Sequence, residues 1–99
     1  FNSNKLSDQW IYDIGGSGWG NHELQYYKKD NIYLKDGNLV IIALKEHFGG
    51  KDYTSGRIKT QGKRSWRYGR FEARIKVPLF SGSWPAFWML GDSINWEGW

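Results

Sequence analysis

The stretch "NIYLKDGNLVIIALK", residues 31–45, decides the fold class. Two runs rich in aliphatic and β-branched side chains, "NIYLK" (31–35) and "LVIIALK" (39–45), flank "DGN" (36–38), which supplies tight-turn chemistry. The spacing predicts a β-hairpin over 31–45. Outward from it, "QWIYDI" (9–14) and "ELQYY" (23–27) read as short strands on either side of the loop "GGSGWGN" (15–21). Beyond a second loop, "HFGGKD" (47–52), come the strand-like runs "YTSGRIKT" (53–60), "YGRFEARIKV" (68–77) and "SWPAFWML" (83–90). Pro78 closes the middle one, because it has no N–H to give a central ladder. Helix signals are nearly absent, and no repeat or low-complexity linker interrupts the chain. Short strands at turn-bounded spacing predict an all-β sandwich or barrel.

Composition sets the outer bounds. Ninety-nine residues make one domain at most. No apolar run approaches the roughly 18 residues of a membrane span, and no signal-peptide pattern opens the sequence. A soluble globular chain, or a mature piece of one, is expected, with no membrane partner. Seven Trp, six Tyr and five Phe accompany 13 Gly. Rigid aromatic faces and turn-forming glycines suit a β-rich protein that binds something flat. The absence of cysteine rules out disulfides and thiolate metal sites without deciding the compartment.

The net charge is +4, and eight of the 14 basic residues lie between Arg57 and Lys76, interleaved with Trp66, Tyr68 and Phe71. That pattern fits a single-stranded nucleic-acid platform. The solvated face of a sheet fits it better. In "RFEARIKV", Phe71, Ala73, Ile75 and Val77 alternate with Arg70, Glu72, Arg74 and Lys76, so the charge occupies one face only. Solvated faces are commonplace in antiparallel sheets, and no nucleic-acid partner is expected.

The last 19 residues, "SGSWPAFWMLGDSINWEGW" (81–99), hold four of the tryptophans. On a strand, Trp84, Ala86, Trp88 and Leu90 share one face while Phe87 and Met89 take the other. Both faces are apolar, so either two layers cover this strand, or one face packs on a core while the other lines a cleft. Sugars present apolar C–H faces that stack on aromatic rings, while their hydroxyls seek Asn, Glu and Arg. Those polar residues occur in "WGNHELQ" and "TSGRI".

Five ordered blocks, "GWGNHELQYY", "DGNLVIIA", "YTSGRIKT", "YGRFEARIKVP" and "GSWPAFWMLG", resemble the laminarinase branch of glycoside hydrolase family 16, the endo-β-1,3-glucanases. The resemblance covers essentially all 99 residues. It implies a β-jelly-roll sandwich whose concave inner sheet binds glucan. It also implies a strand bearing Glu-x-Asp-x-x-Glu soon after a final Gly-Trp, with the first Glu as nucleophile and the second as acid/base. None of Glu23, Glu46, Glu72 and Glu97 begins that pattern. Phe1-Asn2 resembles the family's Asp-Glu-Phe-Asn opening without its acidic pair. Residues 1–99 are therefore expected to be the N-terminal part of one β-sandwich domain, incomplete at both ends. Such a sandwich often runs to roughly 200–250 residues, and half of one leaves strand edges and an apolar face uncovered. The rest of the same domain is then a needed partner.

By the same resemblance, Trp88 in "AFWML" and Trp99 in "EGW" face each other across sugar subsites. Trp84 either joins that platform or packs beneath it. Asn21 in "WGNHE" resembles a residue that hydrogen-bonds glucose, with a turn-stabilising role as its alternative. Arg57 in "TSGRI" would reach sugar hydroxyls, or form a structural salt bridge. Glu23 and Gln25 share a strand face and could support the cleft. No catalytic residue is assigned within the chain. A structural calcium on the convex side is implied, with the Gly37 carbonyl in "KDGNL" as one ligand and the others elsewhere; catalysis needs no cofactor. His22 and His47 lack partners at metal-ligand spacing and read as loop residues. Two functions stay open: an extracellular endo-β-1,3-glucanase of the retaining type, and a non-catalytic module that recognises β-1,3-glucan. The isolated chain is expected to be inactive under either.

Overall fold

The structure, a computed structural model, describes Phe1 and residues 5–97. Among them are six short strands: β1 (Ile11–Tyr12), β2 (Gln25–Tyr27), β3 (Ile32–Lys35), β4 (Asn38–Ile41), β5 (Tyr53–Ser55) and β6 (Ile58–Lys59). Two 3-10 turns, Gly18–Gly20 and Lys29–Asn31, and one helical turn, α1 (Ile94–Glu97), complete the regular structure. The fold class is all-β, as the sequence predicts. The chain divides into two compact units, Phe1–Arg64 and Ser65–Trp99. No helix among the described residues is long and apolar enough to cross a membrane.

The hairpin forms at β3–β4. Lys35 pairs with Asn38 and Ile32 with Ile41 around a two-residue turn. Asp36 and Gly37 both take positive φ, 53° and 79°, as a type I′ turn requires. The second arm is shorter than the predicted 39–45 because the chain changes partners: Ile42 still donates to the Asn31 carbonyl, whereas Leu44 exchanges both backbone bonds with Thr54. β5 lies between that segment and β2, and the β2–β5 pair is parallel, with Gln25 opposite Tyr53 and Tyr27 opposite Ser55. A parallel pair needs a long connection, and the hairpin with its flanking loops provides it.

The run 53–60 divides into β5 and β6, with β6 pairing antiparallel to β1. The break falls at Gly56, where a β-carbon would lie 2.4 Å from Cγ1 of Ile32. Ile32 is the buried hydrophobic residue among the described positions, so glycine lets the backbone pass directly over it. Beside it lies a buried polar network. Asn31 Nδ2 donates to the Ile42 carbonyl (2.9 Å) and to Thr54 Oγ1 (2.9 Å), and Thr54 Oγ1 donates to Glu46 Oε2 (2.5 Å). Thr54 is 0% exposed, so the bonds of its hydroxyl satisfy a group that water cannot reach.

Residues 68–77 and 83–90 join no β-ladder among the described residues. Period-2 patterning reports which faces are apolar, but a ladder also requires a neighbouring strand at hydrogen-bonding distance. In the second unit Trp66 and Phe71 meet edge-on, centroids 5.6 Å apart, and Arg70 pairs with Glu72.

Candidate functional site

The first unit gathers its chemistry where three segments converge. The Gly-rich loop bends through three successive residues at positive φ: Gly18 (81°), Trp19 (52°) and Gly20 (75°). For a bulky aromatic this conformation costs on the order of 1–3 kcal/mol, and it persists only where the surroundings over-determine it. Here Trp19 Nε1 donates to the Gly15 carbonyl (3.1 Å), and the indole rests 5.2 Å from the Tyr27 ring. The Arg57 guanidinium, carried between β5 and β6, lies over both rings, 4.3 Å from Trp19 and 5.2 Å from Tyr27. Its Nε donates to Asp13 Oδ2 at 2.6 Å, and Lys59 Nζ contacts Asp13 Oδ1 at 2.9 Å.

Glu23 organises the other side. Its Oε2 accepts from Asn21 Nδ2 (3.0 Å), and its Oε1 accepts from Gln25 Nε2 (2.7 Å) and the Tyr27 hydroxyl (2.9 Å). Residues 23, 25 and 27 alternate along one strand face, which is what lets the three side chains meet. Glu23 is 9% exposed and Asp13 is 6% exposed. Burial alone would push the Glu23 carboxyl up, but the hydrogen bonds from Asn21, Tyr27 and Gln25, with the Arg57 charge nearby, hold it below its ordinary value. The Tyr27 phenol moves up, first through burial and then through its bond to the Glu23 carboxylate.

The lowered Glu23 carboxyl has a consequence for stability. A group whose folded pKa is depressed contributes fully above its unfolded value, and that contribution fades as pH falls through the folded value. Glu23→Gln is expected to be less stable than the native domain at neutral pH, because its amide offers a donor where Asn21, Gln25 and Tyr27 also donate. The gap should narrow once the pH drops below the ordinary 4.5. Denaturant unfolding at neutral and acid pH checks this; a gap independent of pH contradicts it.

Among the predicted site residues, Asn21 and Arg57 fall in one cluster, joined through Glu23, Tyr27 and Trp19. Arg57 does form the salt bridge given as its alternative, through Nε to Asp13. Trp84 and Trp88 belong to the second unit, 70% and 52% exposed there. Trp99 lies outside the described residues. Gly37 sits in the type I′ turn, and no group of three or more His, Asp or Glu that could hold a metal occurs among the described residues. One turn carbonyl would supply one of the roughly six to eight oxygens that calcium takes. His47 has a neighbour the spacing did not suggest, with Nδ1 3.2 Å from Asp52 Oδ1 on the exposed loop. Asp13, Trp19, Tyr27 and Lys59 belong to the cluster although no sequence motif marks them as site residues. Glycines flanking Trp19 were the available signal for its unusual backbone.

The family model for glycosyl hydrolases family 16 matches residues 19–98, which include Trp19, Asn21, Glu23, Tyr27, Arg57 and Lys59. The chain belongs to glycosyl hydrolases family 16. The "Clotting factor G alpha subunit" of Tachypleus tridentatus is 46% identical over 99 residues, covering 98% of this chain and 15% of that protein. A "Beta-glucanase" of Rhodothermus marinus is 51% identical over 88 residues, covering 86% of this chain and 31% of its own length. In three dimensions the chain superposes on a laminarinase from Flavobacterium sp. UMI-01 with a TM-score of 0.89 at 48% identity, over 99% of this chain and 44% of that one. The family 16 jelly-roll is thus the fold, and this chain spans less than half the length of these relatives. The large apolar side chains left exposed in the second unit, Phe71, Ile75, Phe87 and Met89 among them, are consistent with a chain that covers part of the family 16 domain.

Proposed function

We propose that this chain forms the glucan-binding part of an endo-β-1,3-glucanase that hydrolyses laminarin-type polysaccharide with retention of configuration. The observation that carries the reading is the donor array itself. Asn21 and Arg57, a neutral amide and a cation held by buried carboxylates, lie in one cluster in a family 16 chain that superposes on a laminarinase. Amide and guanidinium N–H groups suit sugar hydroxyls, and planar rings suit the apolar face of the same sugar. In the first unit Asn21 and Arg57 are proposed to fix sugar hydroxyls; in the second, Trp88 is proposed to stack on a glucose ring and Trp84 to join or support it, and the same stacking role is proposed for Trp99.

The chemistry would rest on two carboxyl groups roughly 5–5.5 Å apart, as retaining hydrolysis requires. One attacks the anomeric carbon while the other protonates the departing oxygen; the second then activates the water that releases the covalent intermediate. Both are placed in the Glu-x-Asp-x-x-Glu segment, which this sequence does not include. A polymeric substrate too large to enter a cell favours an extracellular location. Structural calcium stays in the proposal only as far as one carbonyl, that of Gly37.

Binding tests the reading. In the complete domain, Trp88→Ala should weaken laminari-oligosaccharide affinity about three- to tenfold, since a stacked aromatic is worth about 0.5–1.5 kcal/mol beyond its area. Titration calorimetry measures it. Unchanged affinity in a folded Trp88→Ala domain removes Trp88 from the platform, and a native domain that binds no β-glucan removes the reading.

A further inference from the structure

We propose that Asp13 is the positioning residue that holds Arg57 in its sugar-binding pose, with Lys59 as balancing cation and Trp19 as flat support. The inference rests on the proposed glucan-binding role of Arg57 and assigns the residues that make that role possible. Asp13 is buried, and its two oxygens serve different cations: Oδ2 takes Arg57 Nε and Oδ1 takes Lys59 Nζ. An arginine side chain has many rotamers, and a flexible one must be ordered each time a ligand binds. Here both orientations of the guanidinium are fixed beforehand. The Nε bond fixes its edge, and the Trp19 and Tyr27 rings fix its face.

A purely structural purpose for the ion pair is already served by the backbone. The Asp13 N–H donates to the Arg57 carbonyl at 3.0 Å, so the two strands are joined at these very residues without their side chains. Trp19 adds to this: its backbone takes the unfavourable left-handed conformation, and one ring face lies against the guanidinium. That face serves Arg57, which separates Trp19 in role from the tryptophans proposed to stack on sugar. Lys59 pairs with the buried carboxylate on its second oxygen, leaving Arg57 to be held through Nε.

A double-mutant cycle in the complete domain tests the assignment. Asp13→Asn keeps the size and one acceptor oxygen but loses the charge. It should raise Kd for laminari-oligosaccharides, and KM on laminarin, about three- to tenfold with kcat little changed. Arg57→Ala should weaken binding at least as much. The double variant should bind no more weakly than Arg57→Ala alone, because Asp13 acts through Arg57. Asp13→Glu, which restores the charge one methylene farther out, should recover part of the affinity and guards against a fold-wide effect of Asp13→Asn. If Asp13→Asn leaves affinity unchanged while Arg57→Ala weakens it, the positioning role is overturned and the glucan reading stands. If Asp13→Asn costs the same factor in the Arg57→Ala background, Asp13 acts on the fold rather than through Arg57, which also overturns it. A native domain without β-glucan affinity, or an Arg57→Ala domain that binds normally, overturns both.

Discussion

Asn31→Ala in the complete domain is expected to lower the free energy of unfolding by about 2–4 kcal/mol, a large fraction of a typical domain's stability. Asn31 is 2% exposed, and its Nδ2 serves both the Ile42 carbonyl and Thr54 Oγ1. Alanine deletes one buried and one part-buried hydrogen bond and leaves the Ile42 carbonyl without its side-chain donor, so a desolvation cost adds to the bonds themselves. Thr54 keeps Glu46 as acceptor, which confines the damage to one side of the network. The effect reaches the site through β5, since Thr54 is paired both with β2 and with Leu44, and the segment after β5 carries Arg57. Asn38→Ala is the control: Asn38 is exposed and makes a 3.4 Å bond to the Asp36 carbonyl, so its cost should stay within about 0.5 kcal/mol. Denaturant titration should show a lower midpoint for Asn31→Ala with an unchanged slope. Equal stability of the two variants would remove the network from the account.

Much of the fold was legible where chemistry is local. Asp36-Gly37 announces its turn because few residue pairs accept two positive φ values in succession, and the β3–β4 register follows from it. Partner choice was not legible. The run 39–45 reads as one strand, yet it pairs first with β3 and then with Thr54, because alternation encodes faces and not neighbours. The same limit hid the parallel sense of β2–β5. It also left 68–77 and 83–90 as strand-like runs without a ladder among the described residues.

The site divides along similar lines. Asn21 and Arg57 stand out through resemblance in their short blocks, and Glu23 with Gln25 through alternation on one face. Asp13 was invisible. In "QWIYDI" it is a lone acid at a strand end, and its cation stands 44 residues later in sequence. Lys59 stands in a basic run that patterning alone assigns to solvent, whereas it and Arg57 both pair with that one buried carboxylate. Charge patterning shows how many cations a segment has; a buried partner from another strand decides what they do. Asn31 likewise read as the first residue of a strand, because nothing local marks a side chain that must satisfy a carbonyl 11 residues away.

Under the proposed function these residues hold the glucan, while the reacting carboxylates belong to the Glu-x-Asp-x-x-Glu segment, which this sequence does not include. Retaining cleavage needs a nucleophile and a separate proton donor flanking one bond, so a chain without that pair lacks both of the groups the reaction uses. Glu23 cannot stand in: its two oxygens are taken by Asn21, Gln25 and Tyr27, and its lowered pKa leaves it a poor proton donor near neutrality. The most direct measurement is reducing-sugar release from laminarin by the purified 99-residue chain, beside the complete domain that contains it, with the anomeric configuration of the first product followed by NMR. No release is expected from the chain alone, and turnover with retained configuration is expected from the complete domain. Release by the chain alone, or a complete domain that binds laminarin without cleaving it, would contradict the proposed function.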